Sequence, residues 1–422
     1  MTDARLQIRV LQTIAEIAAD DWNACAAGAD PRALSTAEPH LQPKDQQPDS
    51  LDSISRFPDN PFISHEFLSA LEDAACVGGH SGWQPNHLVA ETPDGTIAGV
   101  APAYLKTHSR GEYVFDQGWA DAFERAGGRY YPKLQVAVPF TPVTGPRLLA
   151  RAGPRAAEVR LGLAQALATI ARQNGLSSAH ITFLTEAEWR VLGKHGFLLR
   201  TDRQFHFDNA GYASFEDFLS ALTSRKRKAI RHERKEALAD GITIHRLSGA
   251  ELTEAVWDAF FAFYMETGSR KWGRPYLTRE FFSLIGERMA ERILLVMARR
   301  DGRWIAGAIN FIGADTLYGR NWGAIEHHPF LHFEVCYYQA IDYAIARGLR
   351  RVEAGAQGEH KLARGYLPSA TYSAHYIAHP GLRRAIDDYL RHERAYIEAA
   401  GEELAAAAPF RKDLLQNEDE TG

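Results

Sequence analysis

Cysteine is scarce in this chain: Cys25, Cys76 and Cys336 are the only three in 422 residues. That count supports neither a disulfide framework nor a Cys-rich zinc site. Each is most simply a small apolar filler, a usage expected in a reducing compartment. Long uncharged apolar runs are lacking too, so no segment is expected to cross a bilayer. The opening residues, Met1-Thr2-Asp3-Ala4-Arg5, lead into a pattern broken by Glu16, Asp20 and Asp21. It has no apolar block of the signal-peptide kind, and a cytoplasmic protein is expected. An excess of positive charge is missing as well, the formal net charge being -5. Bulk attraction to polyanions is thereby excluded, and any basic patch must be local.

Several catalytic signatures are absent. Without a Gly-x-Ser-x-Gly elbow a serine hydrolase is disfavoured, and without a Gly-x4-Gly-Lys-Ser/Thr loop so is a nucleotide phosphotransferase. His327, His328, His332, Glu334 and His360 are rich in metal-type ligands. Adjacent histidines in a strand or turn point apart, however, and the helical His-Glu-x-x-His spacing does not occur, so no metal site is expected.

What is present is the composition of an ordinary soluble protein, long enough for two domains with separate cores. Leu6, Ile8 and Val10 alternate as in a strand, and Ile14–Ala27 reads as a helix. Residues 30–59 turn to Pro, Gln, Ser, Asp and Glu; with little to bury, they predict a mobile insertion without a chemical role. Asn60–Ala75 predicts a helix with Ser64 as N-cap. Two apolar runs joined at Asp94-Gly95, His87–Glu91 and Thr96–Leu105, predict a hairpin. The device returns at Asp301-Gly302. After each hairpin comes a long helix, a glycine and a short strand: Ala156–Gln173, Gly175 and Ala179–Leu184, then Phe333–Arg347, Gly348 and Arg350–Ala354. The same elements in the same order predict a duplicated α/β domain, placed at 1–210 and 211–408, with a flexible tail over 409–422.

Trp304–Ala378 is the stretch around which the second half is organised. Two strand-like runs, a helix, a short strand, the Gly-broken segment Gly355–Tyr366 and a closing strand suggest a sheet that splays open beside a helix N-terminus. Such an opening suits an acyl-carrying cofactor or substrate. Acyl transfer to an amine needs a base, donors for the developing oxyanion and positive charge for phosphates. Glu353, Glu334 and His360 are the candidate bases. Lys361 and Arg364 are natural phosphate partners, and Arg320, Tyr318, Trp322 and Gln357 stand at strand ends and turns around them.

Ser224–Asp240 predicts a helix carrying Arg225, Lys226, Arg227, Lys228, Arg231, Arg234 and Lys235. Cations three and four apart share a face that can bind the phosphates of a nucleotide, a CoA or a tRNA, with Arg227 and Arg231 as the residues to test; the alternative is a solvated face. Asp116–Lys133 is dense in aromatics, glycine and charge; its Trp119, Phe123, Tyr130 and Tyr131 either shape a pocket or cover a sheet edge, and Tyr131 and Lys133 are its candidate binding residues. Arg147 closes the turn-rich run after it and is a candidate anion binder.

The pair of related halves resembles the tandem-domain FemAB-like group of the GNAT acyltransferase superfamily, of peptidoglycan biosynthesis or recognition. The similar stretches are Asn60–Leu71, Arg129–Lys133 with Pro139–Arg147, Phe218–Arg234, Arg270–Pro275, Tyr318–Gly323 and Glu353–Tyr366. The resemblance implies an α/β (α+β) fold of two tandem GNAT-like domains, each a mixed, mostly antiparallel sheet flanked by helices. It implies transfer of an acyl or aminoacyl group from aminoacyl-tRNA or acyl-CoA, neither tightly bound, to an amine on a small molecule, peptide or peptidoglycan precursor. A non-catalytic binder of muropeptides or phosphorylated ligands is the alternative. Single-domain GNAT enzymes hold acetyl-CoA on a Gln/Arg-x-x-Gly-x-Gly/Ala loop before a helix; here Glu326–His332 precedes Phe333 instead, which leaves another acyl donor open.

Overall fold

Alternating and continuous apolar runs become strands here, and 3.6-period runs become helices, along a chain whose computed structural model describes residues 6–27, 59–272, 275–355 and 358–411. Residues 30–58 of the expected insertion, Gln357 and residues 412–422 of the expected tail lie outside them.

The chain opens with β1 (Gln7–Leu11). A capping box of Thr13 and Glu16 closes a short 3-10 turn, and Ile17 is extended, so the helical run expected from Ile14 is broken and α1 covers only Ala19–Ala27. Ser64 caps α2 (His65–Asp73), its hydroxyl accepting the Phe67 N–H at 3.3 Å. Then come β2 (Trp83–Pro85), β3 (His87–Glu91) and β4 (Ile97–Ala101). The single strand expected over Thr96–Leu105 is divided at Pro102, which has no N–H to give a ladder, and β5 (Ala103–Lys106) joins a different sheet from β4. Next are α3 (Gln117–Arg125), β6 (Lys133–Val136), β7 (Leu149–Ala150), α4 (Ala156–Gln173), β8 (Ser178–Leu184), α5 (Glu186–Lys194) and β9 (Leu198–Asp208).

Beyond β9 follow α6 (Phe215–Ala221), α7 (Ser224–Ala237), β10 (Thr243–Leu247), α8 (Glu254–Trp272), α9 (Arg279–Met289) and β11 (Ile293–Arg300). The Asp301-Gly302 turn has φ of 49° and 77°, the sign a tight hairpin requires, and leads to β12 (Arg303–Ile312) and β13 (Thr316–Ala324). The expected helix Phe333–Arg347 is a composite: α10 (Leu331–Phe333), a π turn (Glu334–Tyr338) and α11 (Gln339–Ala346). The chain ends with β14 (Arg351–Glu353), a 3-10 turn (Glu359–Arg364), β15 (Leu367–Ile377) and α12 (Pro380–Ala406).

Two units result. Unit 1 is Met1–Asp202 with Thr371–Ile397, and unit 2 is Arg203–Ala370 with Glu398–Gly422, so the chain leaves unit 1 within β9 and re-enters it within β15. Unit 1 has a small antiparallel sheet ordered β1-β3-β4-β7 and a second ordered β15-β8-β6-β5-β2, in which β6 and β8 alone are parallel among the registered pairs. One face of the second sheet, with Leu134, Val136, Ala179 and Ile181, packs on Val159, Leu163 and Leu167 of α4. Unit 2 has the order β10-β11-β12-β13-β14-β9, antiparallel except for β13 and β14. Each unit is thus a mixed, mostly antiparallel sheet flanked by helices. In unit 2, Leu294, Val296, Ile305, Leu317 and Val352 meet Val335, Ile341 and Ala344 from the composite helix. Gly323 lets β13 approach α8: a Cβ there would lie 2.0 Å from the Phe263 carbonyl oxygen.

Candidate functional site

In unit 2, β13 and β14 pair over only three positions, Thr316 with Arg351, Leu317 with Val352 and Tyr318 with Glu353. Past Tyr318, β13 continues to Ala324 beside β12, while β14 stops and the chain turns away at Gly355, with φ of 81°. The β12–β13 register passes from Asn310 opposite Gly319 to Ala308 opposite Trp322, so β13 carries one extra residue there. Such a bulge bends a strand and re-aims its side chains. At the start of the opening a Cβ on Gly319 would lie 3.2 Å from Asn310 Oδ1 and 3.4 Å from the Glu353 carbonyl oxygen, so glycine keeps that volume clear.

Tyr318, Glu353 and His206 are register neighbours on β13, β14 and β9, and therefore project from one face. Glu353 is buried, and Arg320 Nη2 stands 3.7 Å from its Oε2. Burial, then the Glu353 charge, pushes the Tyr318 hydroxyl far above the usual phenol range, so it remains a neutral donor. His206 is buried, its Nε2 lies 3.2 Å from Gln204 Oε1, and burial with the surrounding cations holds it neutral.

Lys361 occupies the notch where β14 leaves β13. Its Nζ donates to the Ala354 carbonyl at 2.6 Å and the Gly355 carbonyl at 3.0 Å. Burial, helped by the Arg320 charge, lowers the ammonium to about 8. His360, on the same 3-10 turn, is exposed, and its Nε2 is 3.0 Å from the Tyr337 hydroxyl. Arg364 lies 3.4 Å over the Phe333 ring and donates to both oxygens of Glu233 at 3.0 and 2.9 Å. Trp322 meets His332 edge-on at 5.2 Å between ring centres.

Glu334 is placed differently from the other two candidate bases. It is fully buried at the start of the π turn, where Arg234 donates to both its oxygens at 3.0 and 2.9 Å and Gln339 Nε2 donates at 2.7 Å. To accept a proton it would have to surrender charge-assisted bonds, whereas Glu353 has Arg320 no nearer than 3.7 Å. On α7, Arg231 pairs with Glu216 and Arg234 with Glu334. Among the described residues no ion pair involves Arg225, Lys226, Arg227 or Lys228, near the helix N-terminus, where the dipole adds to their charge.

The three unit 1 candidates sit in a second polar region. Lys133 is fully buried and donates to Glu112 Oε2 at 2.7 Å and Asp116 Oδ2 at 2.5 Å. The Tyr131 hydroxyl is 2.8 Å from Ser109 Oγ. Arg147 differs from an anion binder in what it touches: its guanidinium donates to the backbone carbonyls of Val143, Gly145, Pro146 and Thr182, which braces the turn-rich run from within.

Sequence reading did not find His206 or Glu233. The run Leu198–Asp208 alternates enough to have been read as a strand, which would have put His206 on a face; Glu233 is the acid flanked by cations on α7, a signal drowned by its neighbours. Among the described residues no three His, Cys, Asp or Glu side chains are grouped as metal ligands would be, and no helix is long and apolar enough to cross a membrane.

The sequence model of a family described as FemAB-like, peptidoglycan biosynthesis/recognition, matches residues 13–412. No curated protein gives a significant sequence match. Solved structures that resemble the chain include FemX, at 12% identity and a TM-score of 0.49 over 80% of this chain and 97% of that one. The tandem GNAT protein from the clavulanic acid biosynthesis pathway matches at 12% identity and 0.42 over 89% and 99%. L-PGS from Bacillus licheniformis matches at 9% and 0.47 over 79% and 98%.

Proposed function

Since the chain belongs to the FemAB-like family, we propose that it is an acyltransferase that moves an acyl or aminoacyl group from an activated donor to an amine. Aminoacyl-tRNA and acyl-CoA are the candidate donors, and a peptide or peptidoglycan precursor supplies the acceptor amine. The observation that carries this reading is the divergence of β13 from β14 immediately after the Tyr318–Glu353 pair, with Glu353, Arg320 and Lys361 buried around it.

In this reading the amine nitrogen attacks the acyl carbonyl carbon and Glu353 takes the proton the nitrogen loses. The bond to the leaving oxygen or sulfur breaks, and the proton passes to that leaving group. Tyr318 and Arg320 donate to the charge that develops, and the Lys361 ammonium and the cations near the N-terminus of α7 hold phosphates. The parallel strand pair bridged by a helix recurs, β6 to β8 through α4 and β13 to β14 through the composite helix, which supports two copies of a GNAT-like scaffold, one per unit, with residues 371–397 in the first copy rather than in a continuous 211–408.

The test is product formation by the purified full chain with labelled aminoacyl-tRNA or acyl-CoA and a panel of amine acceptors, read by mass spectrometry. Glu353→Gln is expected to lower turnover by roughly 10²–10⁴-fold while donor binding is kept. Binding of donor or muropeptide by the wild-type chain with no product from any pair would retire transfer and leave the binding-protein alternative.

A further inference from the structure

The second sheet of unit 1 has two unlike faces, and both are buried. On the face away from α4 the registers align Tyr104 and Lys106 of β5, Lys133 and Gln135 of β6, Ser178, His180 and Thr182 of β8, and Ser373 and His375 of β15. Every one of these nine polar side chains is at most 4% exposed. Covering them are Tyr130, whose hydroxyl donates to Asp116 at 2.7 Å, and Trp119 of α3, edge-on to His375 at 5.1 Å. A sheet face this polar is normally left in water, because burying such groups is costly unless each is hydrogen-bonded.

Most of the face is satisfied. Lys133 bridges Glu112, Asp116 and Ser109, and a string runs from Ser178 through His180 and His375 to Ser373 with spacings of 2.7, 2.7 and 3.0 Å. Four buried polar atoms of this region have no hydrogen-bond partner among the described residues, and three of them can only accept; the fourth, the Tyr104 hydroxyl, both donates and accepts. Glu112 Oε1, Asp116 Oδ1 and Gln135 Oε1 are buried oxygens with no hydrogen-bond donor among the described residues; Lys106 Nζ is 3.7 Å from Glu112 Oε1, within ion-pair but not hydrogen-bond reach. The other oxygens of both carboxylates share the Lys133 ammonium, and Gln135 lies two residues along the same face, about 7 Å away, so the three belong to one patch.

Three acceptors lacking donors call for a guest that only donates. We propose that the polar face of unit 1 is a binding site for a primary ammonium group, whose three N–H bonds the oxygens of Glu112, Asp116 and Gln135 receive. A hydroxyl offers one donor and an amide brings an unmatched carbonyl, so neither completes the set. Half-buried Tyr131, bonded to buried Ser109 and through it to Lys133, forms the rim from which a small amine reaches it. The framework is charge-neutral before the guest arrives, two lysines against two acids. Burial brings Lys106 down to about 7 and Glu112 up to about 7, so the pair sheds a proton as a cation enters and neutrality is restored. This site does not depend on the acyl-transfer reading of unit 2, and its test uses no donor.

The experiment is titration of the full chain with n-butylamine and with n-butanol, followed by the imidazole resonances of histidine-labelled protein and by calorimetry at pH 6.5 in buffers of different ionisation enthalpy. Saturation by the amine, at least tenfold weaker binding of the alcohol and release of about one proton per amine are expected. Gln135→Met should weaken the amine about tenfold. No saturation by the amine, equal binding of amine and alcohol, or unchanged affinity in a Gln135→Met variant with wild-type circular dichroism would overturn the proposal and assign those oxygens to buried water.

Discussion

Arg234 holds Glu334 through two parallel hydrogen bonds, Nε to Oε2 at 3.0 Å and Nη2 to Oε1 at 2.9 Å, and the carboxylate has no exposed surface. Removing one partner of such a pair strands the other charge in a low-dielectric setting. Glu334→Ala is therefore expected to lower unfolding free energy by about 3 kcal/mol in urea denaturation, whereas Glu334→Gln, which keeps an acceptor, should leave turnover within a few fold. A large loss of turnover in a stable Glu334→Gln variant would make Glu334 a base after all.

Lys361 gives the site a pH dependence. Burial favours its neutral form, so the ammonium that attracts a phosphate is lost as pH rises through about 8. Donor affinity should fall by about an order of magnitude between pH 7 and pH 9.5, and Lys361→Met should flatten that slope. The stability sign is the opposite: the unfolded lysine holds its proton to higher pH than the folded one, so Lys361 makes the fold more stable as pH climbs from 8 toward 10.5. A donor-binding profile unchanged by Lys361→Met would show that Lys361 only caps the Ala354 and Gly355 carbonyls.

His180 and His375 set the acid limit of unit 1. Burial lowers His180 to about 3 and His375 well below its ordinary value. Below pH 6.5 the unfolded chain binds protons that the folded chain refuses, so stability drops as pH falls through that window. Urea midpoints should decline steeply between pH 6.5 and 4.5, and less steeply in His375→Gln.

The two arginines singled out on α7 are not equivalent. Arg231 is tied to Glu216, and Arg227 has no ion pair among the described residues. If α7 holds a polyanion, Arg227→Ala should weaken tRNA binding and reduce the slope of log affinity against log salt by about 1, with a smaller effect for Arg231→Ala. Equal and negligible effects would return α7 to a solvated face.

Gly323 is a packing constraint rather than a site residue. With a Cβ 2.0 Å from the Phe263 carbonyl oxygen, Gly323→Ala should force β13 from α8 and cost about 1–3 kcal/mol, seen as a lower melting temperature.

Much of the local structure was legible because its causes are local. Gly95 and Asp301-Gly302 specify their hairpins by backbone sign, Ser64 its helix by a hydroxyl, and α7 its charge by spacing alone. The failures have local causes as well, Pro102 dividing a strand between two sheets and an extended Ile17 ending a helical turn. The candidate site was legible as a neighbourhood, since Tyr318, Arg320, Glu353 and Lys361 fall within one stretch of chain. Its allocation was not: that Glu334 turns to Arg234 while Glu353 sits beside Tyr318 and Arg320 depends on a π turn and a register that no short-range pattern encodes.

Sequence alone determined many of the secondary elements, the basic helix, the order of hairpin, helix and strand in each half, and the family resemblance, because propensity, periodicity and turn chemistry act between residues a few positions apart. Only the tertiary structure decided which polar groups face each other across strands. His180 meets His375 from 195 positions away, Glu353 falls opposite His206, and one oxygen each of Glu112, Asp116 and Gln135 has no donor among the described residues. Those outcomes follow from strand register and burial, which set local dielectric and hydrogen-bond supply and are properties of the assembled sheet.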